Sequence, residues 1–576
     1  MTTPNFKSYW DEKRALLDSR IEIMEESLRA LKEERNTCSC AIRVPPEILT
    51  HIFLDVITDI YKRGWKPIGQ FHLPHVCRYW YDVALKSQEY WRYQPLYNGG
   101  RLRPLHLMDR AEGRPLYLTG TLSVDFSDWI SPKCDHFLSQ AESVDILLCH
   151  NHPSSSSSSL WSAPDDPSVP EYLEDFLKRG APNLKSLTLS AEDVSITPRI
   201  PDDAFDGNIP CLRFLALFNV ECSWLTSIFV SSLTHLTLQG RIFMDDACIQ
   251  TLQRLSSLRH LYLADLLYRD GLHIPPFEPP TAPPSVKLEH LEVLCVRGEG
   301  YPLGVLALEL DIPLSTSVIL VPEYPERLMF DPPHECLALE SLLSWLPKHL
   351  QKLDLGSIPL NTMHLESRLD WDLKHNRDTG VLRLYHSPDS IVDPVQLGDR
   401  LPKAECARYL EVRFYLQGRC FPLHVILPVI IPKLQLSTVQ VLYLDDIYCL
   451  NVETALGSLT GVHTLCLSGG ESTDVLQNLI PTKPRREALL PALKTLILHK
   501  IGLDGRFTHA LSFVADRSEQ YPVEKVYLSQ CEHVREEYLE SLRQHVSTVE
   551  WDGLDQECYG GTLRLRPGIR VMGRRS

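Results

Sequence analysis

His72, His75 and Cys77 are three metal-ligand side chains within six positions, a spacing that raises the question of a zinc site. A structural zinc needs four deprotonated ligands, and no second Cys/His pair at suitable spacing accompanies these three. They are read as packing residues of a helical segment. Cys38-Ser39-Cys40 is one residue short of a redox C-x-x-C pair and has no partner pair for a metal, so it is read as unpaired linker thiols. Gly298-Glu299-Gly300 is a G-x-G with no third glycine at dinucleotide spacing, and is expected to form a turn after a strand. No G-x-x-x-x-G-K-S/T, G-x-S-x-G or H-E-x-x-H occurs, so P-loop, α/β-hydrolase and zincin chemistry lack their signatures. No catalytic residue, metal or cofactor is assigned, and the chain is expected not to be an enzyme.

The remaining functional candidates are surfaces. With 576 residues the chain exceeds a single core, so it must divide or extend as repeats. A balance of 58 Lys+Arg against 74 Asp+Glu gives a formal charge of -16, with no long basic stretch to track phosphates. Nucleic acid is therefore not expected as a partner, and Arg564, Arg566, Arg570, Arg574 and Arg575 are read as a solvated tail. The longest apolar run, Pro422 to Pro432, is too short and too proline-rich to span a bilayer, and the N-terminus lacks an apolar leader. No membrane association is expected. The 16 cysteines are dispersed, often inside apolar strands such as Leu294-Cys295-Val296, as expected of buried thiols in a reducing cytoplasm or nucleus.

Leu17, Ile21, Met24, Leu28 and Leu31 are spaced 4, 3, 4, 3, the seam of a heptad helix within residues 1–36. Such a seam either packs on its own domain or forms a weak homodimer. A second unit, residues 37–98, begins at AIRVPPEILTHIFLDVI, where Pro45 and Pro46 can open a helix. Ile48, Leu49, Ile52, Phe53 and Val56 then form one broad apolar face. After a polar break from Tyr61 to Gly69, Val76, Trp80, Val83 and Ala84 share another helical face, and Trp91 extends it.

From residue 105 to 576 the texture is of short strands carrying L-x-x-L-x-L or a valine variant. The triplet falls at Leu184/Leu187/Leu189, Leu212/Leu215/Leu217, Leu233/Leu236/Leu238, Leu258/Leu261/Leu263, Leu291/Leu294/Val296 and Leu350/Leu353/Leu355. It resumes at Val439/Leu442/Leu444, Val462/Leu465/Leu467, Leu493/Leu496/Leu498 and Val523/Val526/Leu528. Intervals between first positions are 28, 21, 25 and 33 residues, then 23, 31 and 30, near those of a leucine-rich repeat. Each strand then buries a leucine pair that only a neighbour can cover. Loops are expected at 153–170, which holds six serines, and at proline-rich 271–286. Between Asp311 and Leu436 the triplet weakens, leaving either an inserted loop or degenerate repeats around Leu382/Leu384 and Leu410/Val412. The fold class is α/β: a short helical module followed by an irregular repeat solenoid.

Residues Pro45 to Trp91 resemble the F-box motif, most closely the F-box-like modules of fungal families that combine it with leucine-rich repeats. Pro45, Pro46, Glu47, Ile48, Leu49, Ile52 and Phe53 match its first block, with Val44 in place of leucine. Val76, Cys77, Arg78, Trp80, Ala84 and Trp91 match its second, while Lys86-Ser87-Gln88 replaces the proline often found before the tryptophan. The asparagine or cysteine that usually follows the last leucine by three residues is present only as Cys531. The resemblance implies a substrate-recognition subunit of a Skp-cullin-F-box ubiquitin ligase. Pro45, Pro46, Ile48, Leu49, Ile52, Phe53, Val76, Cys77, Trp80 and Trp91 would bind the Skp-family adaptor and, through it, a cullin. The repeats would hold an unknown protein substrate. The same sequence would serve an interaction scaffold that works outside a ligase.

Overall fold

The structure is a computed structural model. It describes residues 6–38, 43–62, 72–95, 109–122, 138–149, 173–174, 176–192, 197–268, 284–324, 342, 344–349, 362–370, 377–385, 409–416, 431–434, 436, 438–445, 447, 456–469, 473–480, 489–504 and 506–553. The triplet at Leu350, the serine loop 153–170, most of 271–286, spacer residues 63–70, Cys40 and the basic C-terminal tail lie outside them. Two compact units divide the chain, one through Val230 and one from Ser231.

The first unit opens with α1, Phe6–Thr37, a single helix of 32 residues. Helices α2 (Pro46–Lys62), α3 (Arg78–Lys86) and α4 (Gln88–Trp91) follow. The second block is thus two helices with a break at Ser87. The serine hydroxyl accepts from Tyr90 N (3.2 Å) and caps α4, so Ser87 starts a helix where the F-box pattern often has proline. Five strands come next: β1 (Tyr93–Pro95), β2 (Leu116–Leu122), β3 (Ala141–Cys149), β4 (Ser186–Glu192) and β5 (Phe214–Phe218), each parallel to the one before. Val144, Leu187 and Leu215 stand side by side, and Ile146, Leu189 and Leu217 do the same one step on. All six are at most 1% exposed. Parallel neighbours that stack apolar pairs in register are what L-x-x-L-x-L requires, because one strand alone leaves its pair half covered.

The second unit continues with β6 (His235–Met244), α5 (Asp246–Arg254), β7 (His260–Tyr268), β8 (Val286–Lys287), β9 (Val293–Glu299), α6 (Gly300–Glu309), β10 (Leu310–Asp311) and β11 (Ser317–Tyr324). Strands β6, β7, β9 and β11 form a parallel ladder that aligns Leu236, Leu261, Leu294 and Val318, while β8 pairs with β10 in a separate two-stranded sheet among the described residues. Asp245 begins α5 as its cap, accepting from Cys248 N at 3.0 Å. Gly298-Glu299-Gly300, expected to be a turn, instead ends β9 and starts α6.

The weak stretch resolves into β12 (Thr362–Asp370), β13 (Arg377–Tyr385) and β14 (Tyr409–Leu416). These three are neither loop nor repeats: β12 and β13 run antiparallel, as do β13 and β14. Their order is also reversed, since β11 lies parallel to β14 and β12 lies parallel to β15 (Val441–Asp445). A two-residue alternation of leucines reads the same in both chain directions, which is why the sequence leaves strand direction open. Parallel repeats then resume through β15, β16 (Thr464–Ser468), α7 (Asp474–Leu479), β17 (Thr495–His499), α8 (Phe507–Arg517), β18 (Lys525–Ser529), α9 (Glu536–Arg543) and β19 (Thr548–Trp551).

A second regularity ends the strands. The residue two positions after the last apolar residue has positive φ at Asn219, Gly240, Asp265, Gly469, Lys500 and Gln530. A left-handed residue there turns the chain out of the sheet, a job suited to glycine, asparagine and aspartate. Asn219 also donates to Ala191 O at 3.3 Å. Cys531 donates to Leu498 O at 3.2 Å, and burial pushes its thiol up to about 12. The fold is therefore mixed α/β, an N-terminal helix and helical module with parallel strands arranged as leucine-rich repeats.

Candidate functional site: an apolar stripe on the helical module

Helix α2 carries two apolar stripes one residue out of phase. Leu49, Phe53 and Ile57, at 1%, 0% and 0% exposure, face the interior. Ile48, Ile52 and Val56, at 51%, 41% and 37%, face solvent. Residues four apart on a helix lie above one another, so the pairs Ile48-Leu49, Ile52-Phe53 and Val56-Ile57 make one wide face split by the module's own packing. From the sequence the two stripes merge into a single broad apolar face. The repeated pair every four residues is the signal that separates them, and it adds Val56 to the exposed set.

Aromatic contacts fix the interior. Phe53 sits edge-on to Trp80 (centroids 5.3 Å) and to Tyr90 (5.8 Å), and Tyr90 is edge-on to Trp91 at 5.0 Å. Trp91 Nε1 donates to Ala84 O at 2.8 Å, which satisfies the indole inside the module and locks α4 against α3. Tyr79 Oη donates to Val44 O at 2.6 Å, so the proline entry of α2 is held to α3. Tyr90, 1% exposed, is a central packing residue that the F-box pattern does not single out.

Among the ten residues assigned to adaptor contact, Pro45, Pro46, Ile48, Ile52 and Val76 are exposed. Cys77 and Trp80 are half-buried. Leu49, Phe53 and Trp91 require correction: they are interior, at 1%, 0% and 6% exposure, and hold the module's shape. His72, His75 and Cys77 also change place. The histidines lie in a 3₁₀ turn, and Cys77 is the residue before α3, so none of the three is within the helix. Among the described residues no group of three or more His, Cys, Asp or Glu could hold a metal ion. Beside the stripe, a groove of about 680 Å³ runs between α2 and α3, lined by Pro46, Thr50, Tyr79, Asp82 and Lys86 among others.

On the repeats, the side chains between the paired leucines make the second candidate surface. Thr188 and Ala216 in the first unit, and Thr237, Tyr262 and Cys295 in the second, are half-buried and accessible. Farther along, Tyr443, Cys466 and Ile497 occupy the same strand position but are only 4–5% exposed and cluster together with Tyr527. That part of the strand face is interior and unavailable to a target. At the strand entrances, ion pairs link neighbouring repeats: Lys185 with Glu142 (2.9 Å), Arg259 with Glu292 (2.8 Å) and Lys494 with Glu524 (3.0 Å). The His235 and His260 rings stack at 4.3 Å on adjacent strands, and burial with the neighbouring His260 holds His235 below the usual imidazole range.

Among the described residues no helix is long and apolar enough to cross a membrane. No protein-family profile matches the chain, and no curated protein matches it. Among solved structures the chain is similar to an internalin from Listeria monocytogenes str. 4b F2365. The identity is 14% over 64% of this chain and 81% of that one, with a TM-score of 0.21. The repeat assignment rests on the strand registers and buried leucines.

Proposed function

We propose that the chain is a substrate-recognition subunit of a Skp-cullin-F-box ubiquitin ligase. The helical module binds the Skp-family adaptor, and the accessible strand face of the repeats binds the target. The chain itself catalyses nothing and works in the cytoplasm, the nucleus or both. The observation that carries this reading is the exposed stripe of Ile48, Ile52 and Val56 beside exposed Pro45, Pro46 and Val76. An apolar surface standing on a folded aromatic core fits a partner that covers it. The F-box resemblance supplies the partner's identity.

The test is a binding measurement between the intact chain and a recombinant Skp-family adaptor. Pro46→Ala with Ile48→Ala trims exposed side chains and spares Leu49, Phe53 and Trp91, so the module stays folded while adaptor affinity falls at least tenfold. Unchanged affinity in the folded variant would show that the stripe is not the contact. A wild-type chain that binds no adaptor would sink the ligase assignment.

A further inference from the structure

Helix α1 presents its heptad seam to solvent. Leu17, Ile21, Met24, Leu28 and Leu31 are 47–64% exposed, and Trp10 extends the same stripe at 57%. The seam is therefore not packed on the chain's own domain. The Glu33–Arg78 ion pair ties it to the helical module, and among the described residues of α1 Glu33 and Asn36 are half-buried. With Ile21 and Leu28 at heptad position a and Leu17, Met24 and Leu31 at d, Glu33 falls at f and Asn36 at b. Positions f and b lie on the side of the helix opposite the seam. The module thus holds α1 from behind and leaves the apolar face open.

The flanking charges specify what fits that face. Position g carries Lys13, Arg20, Ser27 and Glu34, and position e carries Asp11, Asp18, Glu25 and Lys32. In a parallel pair of identical helices, each g residue meets the e residue five positions on in its neighbour, so Lys13 meets Asp18 and Arg20 meets Glu25. Both contacts are attractive, and each occurs twice by symmetry. An antiparallel pair in the register that faces Ile21 with Met24 pairs Lys13 with Glu34 and Asp11 with Lys32 but sets Asp18 against Glu25, so the parallel pair is the arrangement without a like-charge contact. Arg14 and Arg35 occupy the a positions that bracket the apolar stretch. Charged a residues lower stability but fix register and favour few strands. We infer that α1 is a homodimerisation element, a parallel, in-register two-stranded coiled coil with α1 of a second copy. This inference is independent of adaptor binding and stands or falls separately from it.

The test uses the intact chain. Sedimentation over a wide range of concentration gives a mass that rises to two chains. Ile21→Asp with Leu28→Asp keeps the mass at one chain, and because both side chains are exposed the melting transition of the repeats is unmoved. Lys13→Glu with Arg20→Glu, or Asp18→Lys with Glu25→Lys, each weakens self-association by about tenfold or more. Mixing these two charge variants restores association as a heterodimer. In a Cys40→Ser background a short bis-maleimide links two copies through Cys38, the next d position, and Cys38→Ser abolishes the link. An α1 of 32 residues is about 48 Å long, so antiparallel strands would hold the two thiols far apart. A wild-type chain that stays monomeric, or a dimer that survives the seam variant, overturns the inference. A dimer without charge complementation or without the Cys38 link overturns its parallel orientation.

Discussion

Gly298 and Leu266 meet backbone to backbone: a Cβ on Gly298 would lie 2.4 Å from the Leu266 carbonyl oxygen and 2.5 Å from its nitrogen. The register between β7 and β9 shifts between Leu263 and Leu266, where Asp265 takes φ 65. Gly298 is thus the residue that lets β9 pass the bulge of β7. Gly298→Ala forces backbone apart and is expected to cost about 1–3 kcal/mol in urea unfolding. An unchanged midpoint would mean that the bulge relaxes freely.

Gln530 ends β18 with φ 51, a conformation that costs a side-chain-bearing residue about 1 kcal/mol. Its backbone N–H donates to Asp552 Oδ2 at 2.8 Å, a bond that glycine keeps. Gln530→Gly is expected to stabilise by about 0.5 kcal/mol, and Gln530→Val to destabilise. Calorimetric melting of the two variants in the same buffer checks the opposite signs.

Arg517 is a guanidinium placed inside the second unit, 4% exposed, and it donates to Leu489 O and Leu490 O at 2.8 Å each. Burial holds its pKa below the usual arginine value. Arg517→Met strips the Leu489 carbonyl of its donor and leaves Leu490 O with Leu493 N alone, at 3.1 Å, and is expected to cost about 1–3 kcal/mol. Arg517→Lys recovers only part of that, because one ammonium cannot reproduce the two-armed contact. Denaturant midpoints of the two variants decide it.

His235 binds a proton less readily in the folded chain than in the unfolded one, through burial and the stacked His260. Glu292, 3.6 Å from His260 Nε2, opposes this and Arg259 adds to it. A depressed folded value means that the group's contribution to stability is present above about pH 6.5 and is lost as pH falls toward the folded value. His235→Asn is expected to flatten the loss of urea resistance between neutral and mildly acidic solution. An equal slope in both proteins would rule out this pair as its source.

The repeats were legible because their signal is physical: Leu215 and Leu217 recur at a two-residue period and need neighbours. The helical module was legible as helices, but the inward and outward stripes of α2 were not. Ile48 and Leu49 are both apolar, and only Phe53, Tyr90 and Trp91 closing on one side decide which of them is covered. The order of β12 to β14 was hidden for another reason, since pairing partners far apart in the chain leave no trace in local alternation. The turn residues Asn219, Gly240 and Asp265 did leave a trace, a polar or glycine residue at a fixed offset from the last leucine.

The reversed order of β12, β13 and β14 bears on synthesis. Repeats built in chain order cover each fresh edge with the next strand to emerge. Strand β11 cannot be covered that way, because its partner β14 is made only after the other two have left the ribosome. At ordinary elongation rates the β11 edge waits on the order of ten seconds, a nascent-chain interval in which a chaperone or a premature strand could compete for it.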